Sequence, residues 1–403
     1  KGLITKDYKI LFKREGVEDF KTAYEDFVKE MASSQEEIKK GMKTLGEIHN
    51  AFCERDIIKE DIVTDTDDDE KILNIFVRTN DGGIKLEKAD LLLSYMESNK
   101  EFFKPKRARK EIQGFVDELN KERQYIPNFR FKKDDVLKAT LVMSDLPVQY
   151  KIKNFNKKNL SKISDGWKEI KRYLTITRDL VAKYGFEENN ITSKNALIPI
   201  SYFLMKNNIS KSFLDSERKI DLELRENIIR WLIISTLKQT FGRSGDSRLI
   251  EMREGINQSK TFAELIKGID LNEEDIEDLI EKEGYRSKYS HLILMLVTDK
   301  KYWKNPHQDH IYPQSIFTKE KFNILGLSKE HIDEYEYYMD SIMNLQLLPG
   351  SLNLEKTDDD LIDWKNDKNT EFLESQLIPL EIDLNFKNFL QFIEIRRKKI
   401  HKE

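Results

Sequence analysis

Apolar positions in this chain fall mostly at helical spacing, and the spacing changes character only towards the C-terminal end. From roughly Pro105 to Tyr285 the pattern is helical. In ENIIRWLIISTLKQTF, Ile228, Ile229, Trp231, Leu232 and Leu237 lie densely enough for a mostly buried helix. NEEDIEDLIEKEGY predicts a helix capped by Asn272, with acidic residues in its first turn and Gly284 at its end. NALIPISYFLM is apolar on nearly every side, with Pro199 near a start or a kink. FGRSGDSR, Phe241 to Arg248, reads as a connecting loop. Upstream, ILNIFVRTNDGGIKLEKADLLLSYM (Ile72 to Met96) predicts an element ending at Asn80, a tight turn at Gly82-Gly83, and a new helix from Leu86. The acidic run before it, Asp65 to Glu70, reads as an exposed loop or helix start.

Two short stretches break the helical pattern. QDHIYPQS, Gln308 to Ser315, predicts a strand that carries Asp309 and His310 and is stopped by Pro313, which cannot donate to a sheet ladder. NLQLL has the alternation of a second short strand, opening at Asn344. Pro349-Gly350 then turn the chain into a helix whose start bears Asn353. Between the two strands, FTKEKFNILGLSKEHIDEYEYYMD reads as an inserted helical excursion. His307 stands two residues before Asp309, on the same strand face.

Composition narrows the chemistry. The chain of 403 residues is long enough for two or three domains. The apolar run Leu292 to Val297 is too short to cross a bilayer, and the start has no signal-peptide pattern. Cys53 is the single cysteine. Intrachain disulfides and thiolate zinc sites are therefore excluded, and a cytoplasmic location is expected. Any metal would take oxygen or imidazole ligands, a set that suits magnesium or manganese. Net charge is −4, so the chain as a whole is not a basic DNA binder. Basic residues nevertheless cluster at Lys104 to Lys110, Phe129 to Lys133 and Arg396 to Lys399. Each cluster alone reads as a solvated face; together they are candidates for a phosphate track.

An acid beside an imidazole, followed by two asparagines in strand–turn–helix order, resembles the ββα-metal active site of HNH nucleases, including that of the CRISPR effector nucleases. The resemblance implies Asp309 and Asn353 as metal ligands, His310 as general base, and Asn344 as the residue that holds His310. His307 and Lys356 are accessory candidates. The 34 positions from His310 to Asn344 exceed those of compact HNH sites, which is why the excursion is needed. The chemistry is coherent by itself: an imidazole near its ordinary pKa can activate water at neutral pH, and a cation can neutralise the transition state.

The likeness extends further. IFVRTNDGGIKL is similar to the end of the ParB-like domain of GmrSD-type modification-dependent restriction systems, IIRWLIISTLKQTFGRSGDSRL to their helical middle, and DHIYPQS…NLQLLPGSLN to their HNH-like domain. It implies a mainly α-helical fold with a small ββα-metal (His-Me finger) unit near the C-terminus. The implied domains are a ParB-like remnant (1–104), a helical domain (105–285) and a nuclease domain with a C-terminal helix (286–403). The implied function is metal-dependent cleavage of DNA, modified or foreign, in prokaryotic defence, with no membrane partner. The family's DGQQR motif for nucleotide binding does not occur here. With Lys1 as the first residue, the expectation is that a nucleotide-binding domain lies upstream and that this chain hydrolyses no nucleotide. The alternative is a catalytically inactive helical module that binds DNA or protein within a defence complex.

Overall fold

A computed structural model of the chain describes residues 28–30, 32–49, 88–98, 107–122, 129–149, 151–242, 245–259, 261–267, 269–298, 306–349, 352, 356, 361–366, 368 and 370–402. Asn353, Cys53, the acidic run Asp65 to Glu70 and the turn at Gly82-Gly83 lie outside them. The chain divides into two compact units, Lys1–Asp68 and Asp69–Glu403. In the first, helix α1 (Gln35–His49) is started by Ser33 and Ser34. The Ser33 amide donates to Glu37 at 2.8 Å, and the Glu37 amide to Ser34 Oγ at 3.3 Å.

The second unit is mainly α-helical, and among the described residues its only sheet has two strands. Helix α2 (Lys88–Ser98) packs on α3 (Ala108–Asn120) and α4 (Lys133–Met143), and these two pack on α5 (Lys157–Lys183), a 27-residue helix capped by the Asn156 side chain. Its buried stripe of Leu160, Ile163, Trp167, Ile170 and Leu174 follows the 3.6-residue period. Arg178 continues that stripe as a fully buried cation. Its guanidinium donates to Glu118 O and Leu119 O at 3.1 and 3.3 Å, satisfying carbonyls left open at the negative end of α3. Helix α6 (Leu197–Lys206) holds Pro199 in its first turn, where the missing N–H costs no helical bond.

Helix α7 (Lys219–Leu237) buries Ile228, Ile229, Trp231 and Leu232 as its density predicts. The expected loop Phe241 to Arg248 is only partly a loop. Helix α8 (Gly245–Gln258) already includes its second half, and Asp246 in its first turn accepts the Lys138 ammonium of α4 at 2.7 Å. After the short α9 (Phe262–Leu265), α10 (Glu273–Lys282) starts at Asn272 with a capping box: Asn272 accepts from the Asp275 amide, and Asp275 from the Asn272 amide.

Helix α11 (Ser290–Val297) packs on α7 and also on the sheet, joining the helical body to it. Strand β1 (Pro306–His310) pairs antiparallel with β2 (Leu345–Pro349). Between them lie α12 (Lys319–Leu325) and α13 (Lys329–Met339), so the excursion is helical. Its Phe322 and Tyr335 pack with Phe317, Phe386 and Phe389 in edge-on, tilted and stacked contacts at 4.8 to 6.5 Å. Helices α14 (Leu361–Asn366), α15 (Thr370–Ser375) and α16 (Phe389–Lys402) follow β2, and α16 packs on α13 and on the turn Ile342–Asn344. No helix among the described residues is long and apolar enough to cross a membrane.

Candidate functional site around His310

The described strands are five residues each, and β1 ends at His310, ahead of the Pro313 expected to stop it. Leu345, Leu347 and Leu348 of β2 are fully buried, and Pro306 faces Pro349 at the far end, where neither proline offers a donor. The register sets Asp309 opposite Gln346 and His310 opposite Leu345. Beyond His310 the ladder does not simply end. The Ile311 amide donates to Asn344 O at 2.8 Å, and the Asn344 side chain then acts as a substitute peptide. Its Oδ1 accepts from the Tyr312 amide at 2.9 Å, and its Nδ2 donates to Tyr312 O at 3.1 Å and Met339 O at 2.8 Å. Asn344 is fully buried and all its bonds go to backbone. The resemblance assigned it to hold His310; its side chain instead fixes the chain just past His310, because its reach is taken up by Tyr312 and Met339.

The side chain that does bond His310 is Asp340, at the C-terminal end of α13. His310 Nε2 lies 2.7 Å from Asp340 Oδ1, which also accepts from Gln314 Nε2 at 2.8 Å. A carboxylate only accepts, so Nε2 carries the proton and Nδ1 is left with the lone pair. His310 is buried, whereas Asp340 remains about half-exposed. Burial pushes the imidazole pKa below its usual value, and the bond and charge of Asp340 oppose that shift. The Tyr285 ring covers His310 at 4.4 Å, tilted by 60°. Tyr285 is tied to the same acid's backbone, its amide donating to Asp340 O at 2.7 Å. Gly284 bridges to Ser341 there, and a Cβ at Gly284 would come within 2.6 Å of Asp340 O. That close approach, more than helix termination, requires the glycine.

Asp309 faces another group of partners. Its Oδ2 accepts from Gln346 Nε2 at 2.8 Å and from Lys356 Nζ at 2.9 Å. Lys356 is fully buried and also donates to His310 O at 2.6 Å. A buried ammonium is tolerable only beside a countercharge and carbonyl acceptors, and it has both. Asp309 Oδ1 has no bond to a described residue, which leaves one carboxylate oxygen for a cation. Magnesium, which keeps several waters and shares substrate oxygens, fits so sparse a donor set. The Lys356 charge on the neighbouring oxygen works against it. Among the described residues there is no group of three or more His, Cys, Asp and Glu side chains able to hold a metal. His307 is exposed on the far end of β1 from His310, opposite Leu348. The second expected ligand, Asn353, lies outside the described residues.

Three participants escaped the sequence reading: Asp340, Tyr285 and Gln346. One signal for Asp340 was present. An aspartate ending a helix opposes the helix dipole, so its position there asks for another reason. Several cations of the basic clusters have partners within the chain, although of those described only Arg396 is buried. Arg396 is buried and donates to Ile342 O, Met343 O and Gln376 O, and Arg397 pairs with Glu277 and Glu281. Lys398 and Lys399 pair with Glu394 and Glu381. Arg109 and Lys133 share Asp90. Apart from Arg396, these pairs lie at exposed or half-exposed positions.

No protein-family model matches the chain, and no curated protein matches it significantly. The family expectation therefore rests on the motif residues themselves.

Proposed function

We propose that this chain is a metal-dependent DNA endonuclease of a cytoplasmic prokaryotic defence system, with β1, β2 and the helical segment after them serving as an HNH-type ββα unit. The observation that carries the reading is the 2.7 Å pair between His310 Nε2 and Asp340 Oδ1 beside Asp309. It fixes the ring tautomer with Nδ1 as the acceptor. Burial favours the neutral ring, so at neutral pH Nδ1 is free to take a proton from water as that water attacks phosphorus. Asp340 would then stabilise the imidazolium that forms, while Asn344 and Lys356 keep the His310–Tyr312 backbone in place. Asp309, through Oδ1, and Asn353 are the residues that would hold magnesium or manganese. Such an ion supplies charge neutralisation at the transition state and leaving oxygen.

The second reading, an inactive helical module that binds DNA or protein, is favoured by one contact: the buried Lys356 ammonium already neutralises Asp309 at 2.9 Å. Incubating supercoiled plasmid with the purified chain, in magnesium, manganese or chelator, separates the two. Cation-dependent nicking that falls by roughly two to four orders of magnitude in His310→Ala supports the nuclease. Nicking unchanged in His310→Ala, or none by the wild type, leaves the binding module.

A further inference from the structure

Among the described residues, five other than glycine adopt a left-handed backbone: Asp145, Asn208, Gln239, Leu377 and Arg286. Four of them stand two residues beyond a helix end, where this conformation ordinarily closes a helix. Arg286, at φ 61°, is the exception. It lies in the turn after α10, between the Tyr285 ring and β1, and no helix ends on it. A long side chain in that region is disfavoured, so such a position invites a functional reason.

The surroundings supply one. The Arg286 amide donates to Gln308 Oε1 on β1 at 3.4 Å, and Gln308 Nε2 is itself fixed by Ser290 Oγ at 2.8 Å. The turn is thus held against the strand that carries Asp309. The guanidinium lies over the Tyr285 ring at 5.0 Å, and the same ring covers His310 at 4.4 Å. The side chain is exposed and has no acid partner among the described residues. The nearest acid in sequence, Glu283, is turned to Ser287 Oγ at 2.5 Å and the Tyr289 amide at 3.3 Å. A preorganised, unpaired guanidinium is placed one ring away from the imidazole.

We propose that Arg286 anchors a phosphate of the nucleic-acid backbone beside His310. The planar fork of a guanidinium matches two phosphate oxygens, and stacking on Tyr285 removes rotamer freedom before binding. The identity of the anion rests on the nuclease reading; the presence of an anion site rests on the turn alone.

The test is binding of a short DNA duplex to the full chain in chelator, by fluorescence anisotropy across a salt series, beside plasmid nicking and thermal unfolding. Arg286→Gln and Arg286→Gly should weaken binding about tenfold and lower the slope of log affinity against log salt by about 1, with Arg286→Lys recovering most of the slope. Arg286→Gly should unfold at the wild-type temperature or higher, because glycine accepts this backbone without strain. Binding that depends on Arg286 in a chain that never nicks supports the anchor and removes the nuclease. Nicking with wild-type affinity and salt slope in Arg286→Gln overturns the anchor and keeps the nuclease. A wild type that binds no duplex overturns the anchor too. So does a fall in the unfolding temperature of Arg286→Gly that tracks its loss of binding, which would make the residue structural.

Discussion

Asn344→Ala tests whether the second strand's asparagine serves structure or chemistry. In the structure its amide makes three hydrogen bonds, at 2.9, 3.1 and 2.8 Å, all to backbone groups of Tyr312 and Met339, and the residue is fully buried. A net contribution of about 1 kcal/mol per bond gives ~3 kcal/mol. The Tyr312 amide is then stranded in the interior, which adds about 1 kcal/mol or more, so a total loss of roughly 3–5 kcal/mol is expected. Against a usual stability of about 5–15 kcal/mol that is a large fraction. The unfolding temperature should drop by roughly 5–10 °C, and urea unfolding should shift to lower concentration. Asn344→Asp should also be costly, because a carboxylate cannot donate to Tyr312 O and Met339 O. A destabilisation below about 1 kcal/mol in Asn344→Ala, with cleavage abolished, would refute this reasoning. It would return the residue to a direct role beside His310.

Three further outcomes follow from the same geometry. Gly284→Ala should loosen the Tyr285 amide from Asp340 O and lower the unfolding temperature by several degrees, since its Cβ would meet that oxygen at 2.6 Å; an unchanged melting curve would contradict the close approach. Asp340→Asn keeps a hydrogen-bond acceptor but removes the charge that raises the His310 pKa, so the acid limb of the pH–rate profile for plasmid nicking should move to lower pH with a slower plateau; a limb that stays or moves up would disprove the pairing's role. Burial pushes His291 down to about 4, with Nε2 sealed without a partner although the residue keeps some exposed surface. Its folded pKa lies below the unfolded value of about 6.5, so the unfolded chain binds the extra proton between these values. Stability should therefore be intact above pH ~6.5 and decline by up to ~3 kcal/mol as pH falls towards 4, a decline made shallower by His291→Leu in thermal unfolding across that range.

Features decided within three or four residues were legible in the sequence. The Asn272 cap, the buried face of α7, Pro199 in a first helical turn, the helical excursion and the two strands around Asp309–His310 and Leu345 all depend on local periodicity or on a side chain meeting its own backbone. Those signals survive in an isolated stretch because little chain closure is needed to make them. What lay beyond them was decided by contacts between distant positions. Asp246, in the first turn of α8, meets Lys138 across 108 positions. Arg396 became a buried clasp on the turn Ile342–Asn344, although its neighbours in RRKK suggested an open basic face. The partners around the candidate site are of the same kind: Asp340 reaches His310 across 30 positions and Gln346 reaches Asp309 across 37. Lys356 settles between Asp309 and the His310 carbonyl only because the hairpin buries it there. The sequence alone marked Asp309, His310, Asn344 and Lys356 as candidates. Only the packed chain decided which of them touch, because a buried charge or amide takes its partner from whatever the surrounding core brings within hydrogen-bond reach.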